Sequence, residues 1–186
     1  MTAAATTLPE APATPEMVLE ASDKLYELVD GVLVEKRVGV KSARVATVLG
    51  VRIESWSQAG AGGMAVIEPT IQCFDHQPQM VRRPDVIYLS NDRIPADGLP
   101  GGHLKMAPDV VVEVVSPKDR VEPLEQKLRD YLRTDIGEVW LLFPQGGHAR
   151  VHRGDGSVAA IPEGGTIDGG DLMPGFSVAL PELYAA

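Results

Sequence analysis

No stretch of the chain restricts its fold more than Asp109-Val-Val-Val-Glu-Val-Val115. Nearly continuous β-branched residues favour an extended backbone, and the absence of polar alternation marks a strand buried on both faces. Such a strand needs a cover on each side, and the following residues supply one. Asp119 to Arg133 reads as a helix with an apolar stripe of Val121, Leu124, Leu128, Tyr131 and Leu132, opened by a capping-box-like pair, Asp119 and Glu122. Glu138 to Phe143 is a second buried strand. Strand, helix and strand at this spacing form a βαβ unit, hence a parallel pair with a right-handed crossover.

Upstream, Leu25–Val29 and Val32–Val38 flank Asp30-Gly31, and a two-residue Asp-Gly between apolar runs predicts a hairpin because both turn positions need positive φ. Ser42 to Gln58 is expected to be a helix capped by Ser42, with Val45, Val48, Leu49, Ile53 and Trp56 at three- and four-residue spacing. The glycine-rich loop Ala59–Gly63 lacks the Gly-Lys-Ser/Thr ending of a phosphate cradle. Met64–Phe74 reads as a strand broken at Pro69, and Pro84–Leu89 as a strand entered at its proline. From His148 onward, short strands and turns are expected. Residues 1–14 read as a disordered leader and 15–186 as a single domain, with a short helix from Pro15 to Ser22 capped by Thr14. The fold class is α/β (α+β) with a mixed sheet.

Composition removes several function classes. No apolar run approaches the ~18–20 residues of a transmembrane helix, and the leader lacks the pattern of a secretory signal. Cys73 is the only cysteine, which excludes an intramolecular disulfide and a cysteine-rich zinc site and suits a reducing, cytoplasmic setting. The formal charge of −9 disfavours a nucleic-acid partner taken alone. The charges are unevenly spread, however. Lys36, Arg37, Lys41, Arg44 and Arg52 lie close together, whereas no Lys or Arg occurs from Gly154 onward, so one end can be locally basic.

Two carboxylates sit in or beside apolar strands: Asp85, after Pro84, and Glu113, inside the valine run. Each is costly there unless paired with a base or bound to a metal. Asp109 shares a face with Glu113, but four residues of strand separate them by ~13 Å, too far for one ion. Asp85 opens its strand and Glu113 lies near the end of the next. If the two pair antiparallel, start meets end across ~4.8 Å and the two acids become a metal-binding pair. Lys127 lies at the edge of the following helix's apolar stripe, from where it can reach the end of the Glu113 strand or rest its stem on apolar neighbours. Lys118 and Lys105 are further candidates. Cys73 reads as a core residue, and Glu27 as a residue on the solvent or site-facing side of the hairpin.

Tyr26-Glu-Leu-Val-Asp-Gly31, Arg83-Pro-Asp-Val86, Pro108-Asp-Val-Val-Val-Glu-Val-Val-Ser-Pro117, Lys127 with Tyr131, Val139-Trp140 and Leu172-Met-Pro-Gly-Phe176 follow one another in order. This ordered set resembles the bacterial restriction-endonuclease-like family of the PD-(D/E)XK nuclease superfamily, over roughly Pro15 to Tyr184. The resemblance implies a restriction-endonuclease-like mixed sheet flanked by helices and phosphodiester hydrolysis dependent on Mg²⁺ (or Mn²⁺). Asp85 would match the superfamily's Asp, and Glu113 the acid of its E-x-K. The position two beyond Glu113 is Val115, so Lys127, from the following helix, is the implied substitute for the lysine. Many relatives carry a histidine near the start of the first long helix, and Lys41-Ser42-Ala43-Arg44 has none.

Two readings follow. In the first, Asp85 and Glu113 hold the metal, Lys127 completes the catalytic set, and Arg82, Arg83, Lys41 and Arg44 contact the phosphates of a nucleic acid, DNA being the expected partner, with the protein a homodimer. In the second, the missing E-x-K lysine and the negative charge mark a dimeric, non-catalytic binding or interaction domain on a nuclease-like fold, for instance a homodimer or a toxin-like or defence partner.

Overall fold

The computed structural model describes residues 12–185; most of the expected leader, residues 1–11, lies outside them. In chain order the elements are α1 (Pro15–Glu20), β1 (Tyr26–Val29), β2 (Val32–Glu35), α2 (Val40–Trp56), β3 (Met64–Ile67), β4 (Val86–Leu89), β5 (Val110–Val114), α3 (Val121–Leu132), β6 (Glu138–Phe143), β7 (His148–Arg153), β8 (Val158–Ile161), β9 (Thr166–Asp168), β10 (Ser177–Ala179) and α4 (Leu180–Tyr184). Strands β3 to β8 form one sheet in sequence order. Only β5 and β6 run parallel, joined through α3, and every other neighbouring pair is antiparallel. This is the expected mixed sheet with its βαβ unit at the centre.

The valine run is divided between two cores by the two-residue period of a strand. Val110, Val112 and Val114 face Val45, Leu49 and Ile53 of α2, together with Leu180 and Leu183 of α4. Val111 faces the opposite way, toward Tyr131 of α3, Ile136, Val139 and Leu141. Glu113 shares the face of Val111, so its carboxylate lies under α3.

The Asp30-Gly31 turn has φ of 51° and 76°, the double positive φ that a two-residue hairpin demands. The β1–β2 hairpin forms its own two-stranded sheet and is tied to the body at Leu28, which exchanges backbone hydrogen bonds with Val81 at 2.8 and 2.9 Å. Val18 of α1, Leu28 and Val81 seal that junction. The hairpin is thereby delivered to Arg82 and Arg83, the next residues in the chain.

Three local expectations are corrected. Helix α2 begins at Val40 behind Gly39, and Ser42 is already inside its first turn. Helix α3 begins at Val121 behind Arg120. The Asp119 carboxylate instead accepts from the Ser116 N–H at 2.7 Å, closing a turn ahead of the helix, so no capping box with Glu122 forms. The Met64–Phe74 segment is strand only to Ile67. Glu68 has φ of 53°, and the chain rejoins other backbone through isolated bridges of Ile71 to Arg82 and Leu104. Among the described residues no helix is long and apolar enough to cross a membrane.

The register that carries Asp85 begins at the β3 edge. Gly63 has φ of 83°, and a Cβ there would stand 2.5 Å from the Leu89 carbonyl oxygen and 2.6 Å from the Tyr88 hydroxyl. Gly63→Ala should therefore destabilise the fold by ~1–3 kcal/mol, combining left-handed strain with overpacking. Urea unfolding measures this, and an unchanged midpoint would contradict the tight fit.

Candidate active site

Strands β4 and β5 pair antiparallel with Val86 opposite Val112, so the next step of the ladder sets Asp85 opposite Glu113. The Asp85 N–H donates to the Val112 carbonyl at 3.1 Å, and the Val114 N–H donates to Asp85 Oδ2 at 2.6 Å. One residue thus closes the ladder with its backbone and extends it with its side chain. Both acids are buried.

Helix α3 crosses above them. Lys127 and Tyr131, one turn apart, share its inward face. Lys127 Nζ lies 3.1 and 3.2 Å from the two carboxylate oxygens of Glu113 and 2.8 Å from Glu27 Oε1. The Tyr131 hydroxyl donates to Glu113 Oε1 at 2.7 Å. The structure therefore brings Asp85, Glu113 and Lys127 to one place, a cleft of ≈ 320 Å³ between the hairpin exit and the β5–α3 connection.

Five further residues complete the cluster. Glu27, which alternation alone leaves on the solvent or site-facing side of the hairpin, is 4% exposed. It bridges Lys127 to Arg82, whose Nη1 is 2.9 Å from Glu27 Oε2. Arg82 also donates to Asp130 of α3, with Nε 3.1 Å from Oδ2. Lys36, just after β2, places Nζ 2.7 Å from Asp85 Oδ1 and 2.8 Å from Glu68 Oε2. Of these, Lys36 and Arg82 carried a sequence signal only as basic residues and Glu27 only as a residue alternating with apolar neighbours, while Glu68 and Asp130 carried none. Buried partners on three separate elements leave no spacing in the chain to read.

The other candidates separate by position. Arg82 is 5% exposed with its guanidinium held between two carboxylates, which removes it from the surface role of contacting phosphate. Arg83 is half-buried and donates to the carbonyls of Tyr26 and Glu68. Lys41 and Arg44 are exposed on the first turns of α2, beside Ser42 on the cleft wall. Lys118 lines the cleft mouth, whereas Lys105 is exposed and does not line it. Asp109 stays apart, accepting from the Ser90 N–H at 2.6 Å and pairing with Arg93 at 3.0 Å. Cys73 packs beside the α3-side core, where burial pushes its thiol up to about 12.

Burial and charge pull the two central glutamates in opposite directions. Burial pushes Glu113 up to about 7, against the attraction of Lys127 and with help from the negative charge of Asp85. Burial acts on Glu27 in the same sense, but Lys127 and Arg82 outweigh it and hold Glu27 at about 2. The ammonium groups of Lys36 and Lys127 are desolvated too, yet their carboxylate neighbours raise both above the ordinary lysine value. Glu27, Glu68, Asp85, Glu113 and Asp130 face Lys36, Arg82, Arg83 and Lys127, an excess of one acid over the bases.

Glu27 makes a testable acid dependence. Its folded value, about 2, lies below the ~4.3 of an unfolded glutamate, so its stabilisation is complete above the unfolded value and lost as pH falls toward 2. Between about pH 5 and pH 2 the wild type should lose ~3 kcal/mol more stability than Glu27→Gln, which has no carboxyl to titrate. Urea unfolding across that window checks this. Parallel profiles for the two proteins would show that the ion pairs do not hold Glu27 charged.

Comparison with known proteins gives this arrangement relatives. The family model Uma2, described as "Putative restriction endonuclease", matches residues 12–181. A crystal structure of a protein from Anabaena variabilis, described as a putative nuclease belonging to DUF820, superposes with a TM-score of 0.79 at 18% identity, covering 94% of this chain and 98% of that one. At that identity the likeness is one of fold. No curated protein matches the sequence significantly. With a family model spanning almost all of its described length, the chain belongs to the Uma2 family.

Proposed function

We propose that the protein is an endonuclease dependent on Mg²⁺ or Mn²⁺ that hydrolyses phosphodiester bonds, with DNA as its substrate. The observation that carries this reading is the convergence of Asp85, Glu113 and Lys127 at the floor of one cleft.

The donor set suits a hard cation. Two carboxylates face each other across an antiparallel pair, and no histidine or thiol is among the cleft-lining residues. Among the described residues no group of three or more His, Cys, Asp or Glu side chains forms a cage. Mg²⁺ is commonly bound through one or two carboxylates with water and substrate oxygens filling the remaining positions, which two protein ligands allow. Asp85 and Glu113 would hold the ion, and its chemistry is to polarise the phosphate and acidify a bound water.

The chain's own residues do the rest. Tyr131 and Lys127 fix the Glu113 carboxylate from above, and the Val114 N–H fixes Asp85 from the ladder. Lys127, held on its other side by Glu27, brings a permanent positive charge to the cleft floor, where charge develops on a phosphorane-like transition state. Arg82 locks the hairpin to α3 through Glu27 and Asp130, which keeps Lys127 from turning away. Lys41 and Arg44, exposed beside the cleft wall, would contact backbone phosphates, as would Arg83 at the site's edge.

A second reading has one observation in its favour. Each carboxylate already has a lysine against it, so the pair is charge-compensated without a metal, which suits a non-catalytic interaction domain. Calorimetric titration with Mn²⁺ separates the two, since binding that depends on both Asp85 and Glu113 belongs only to the first.

With supercoiled plasmid and Mg²⁺ or Mn²⁺, the wild type should nick DNA, and Asp85→Asn, Glu113→Gln and Lys127→Ala should each lose at least ~10²-fold in rate. Equal cleavage by all four proteins, or none with either metal, overturns the proposal. Lys41→Ala and Arg44→Ala should leave metal binding intact while each lowers the salt slope of DNA binding by ~1. An unchanged slope in both removes them from the interface.

A further inference from the structure

Lys36 has no part in the chemistry assigned to Asp85, Glu113 and Lys127, yet it is among the most completely bonded side chains of the cluster. Its side chain is 9% exposed, and Nζ lies 2.7 Å from Asp85 Oδ1, 2.8 Å from Glu68 Oε2 and 2.8 Å from the Arg83 carbonyl oxygen. The ammonium donates hydrogen bonds to Glu68 and to the Arg83 carbonyl and forms a close ion pair with Asp85. Because the Val114 N–H occupies Asp85 Oδ2, both oxygens of Asp85 are engaged, and the cation on Oδ1 is Lys36.

Glu68 is built to face that ammonium. It leaves β3 with φ of 53°, a left-handed conformation uncommon for a residue with a side chain, and its N–H donates to the Asp85 carbonyl at 3.0 Å. The turn that carries Glu68 is therefore hydrogen-bonded to the residue that shares Lys36 with it. Glu68 keeps 24% of its side chain exposed, against 7% for Asp85, so it is the carboxylate of the two that solvent can reach. Lys36 itself comes from the hairpin exit, next to exposed Arg37, where its N–H still donates to the Leu25 carbonyl at 2.8 Å, so it is the side chain and not the backbone that can shift.

We propose that Lys36 is a resident cation on Asp85 that a divalent metal displaces onto Glu68, so that the Lys36–Glu68 pair sets the metal affinity of the site. The inference rests on the metal reading of Asp85 and Glu113. Its physical basis is that an ammonium 2.7 Å from Asp85 Oδ1, the shortest lysine–carboxylate contact in the cluster, repels a divalent ion arriving at that same oxygen. Glu68 lowers the cost of release by giving the ammonium a second carboxylate within reach, already at 2.8 Å.

The two partners predict opposite signs. Lys36→Met removes the competitor and should tighten Mn²⁺ binding at least about fivefold, a typical lower bound for coupled sites. Glu68→Gln leaves Asp85 as the only carboxylate holding Lys36 and should weaken binding by a similar factor. Calorimetric titration of Mn²⁺ into the wild type and both variants reads this directly, with thermal unfolding run on each to confirm that it is folded. In the wild type, the ¹⁵Nζ resonance of Lys36 should shift on saturation with Mg²⁺, a readout that needs no substitution.

A merely structural Lys36 would give a destabilised Lys36→Met protein with equal or weaker metal binding and an unmoved Nζ resonance, and that result overturns the inference while leaving the nuclease reading intact. Tighter binding by Lys36→Met without plasmid cleavage by any protein supports the inference and overturns the nuclease. Absence of Mn²⁺ binding to every protein overturns both.

Discussion

A carboxylate in the middle of a strand covered on both faces must be compensated where it stands, and the compensation of Glu113 organises much of this molecule. The strand cannot exchange it for solvent, because Val111, Tyr131 and Leu141 close the same face. Helix α3 must therefore cross at the angle and height that bring Lys127 and Tyr131 over the carboxylate. Lys127 in turn needs a second acid, supplied by Glu27 from the hairpin, and Glu27 needs Arg82, which needs Asp130 back on α3. The circuit closes on itself and ties a detached two-stranded sheet, a central strand and a crossover helix into one rigid site.

On the proposed nuclease reading, the circuit also explains how an acidic protein would host a site for a polyanion. A net charge of −9 repels phosphate on average over the surface, but a scissile group is governed by the few charges within a Debye length of it, about 8–10 Å at physiological salt. Around the cleft those include Lys36, Arg37, Lys118, Arg120 and Lys127, while the stretch after Gly154, which holds no Lys or Arg, contributes none of the cleft lining. Recognition at such a site depends on local contacts more than on steering from a distance.

The central architecture was legible because it is local in sequence. The valine run, the α3 stripe and the β6 run lie within about thirty-five residues, and each obeys the periodicity of its element. Asp30-Gly31 was legible for the same reason. Asp85 and Glu113 could be paired in advance because an antiparallel neighbour fixes which end meets which. Glu27, Lys36 and Glu68 could not, since their roles depend on where a hairpin anchored at Val81 docks against the sheet, and neither Leu28 nor Val81 advertises that bridge. Arg82 was misjudged through its type: arginine is normally exposed, and only its two buried acceptors keep it inside. Helix starts failed by two residues because glycine and arginine, not the favoured Ser and Asp, occupy the cap positions.

Val115 occupies the position where the E-x-K pattern of the resemblance would place a lysine, and its packing fits a cation supplied from α3 instead. Two residues beyond Glu113, that position points to the Glu113 face, where it packs at the border of the core shared with Leu124 and Leu128. A lysine there would present its ammonium along the strand toward the cleft mouth and would deprive this border of an apolar contact. From α3, Lys127 reaches the same carboxylate from above, with Glu27 bound on its far side, so the ammonium is fixed by two acids and not by one. Stabilising charge at a phosphate requires a cation held at a point in space, and the element that delivers it is free to change as long as the helix crosses at the right height. The height of α3 is fixed by Tyr131, fully buried and bonded to Glu113, which makes the placement of Lys127 and the burial of the tyrosine two parts of one arrangement.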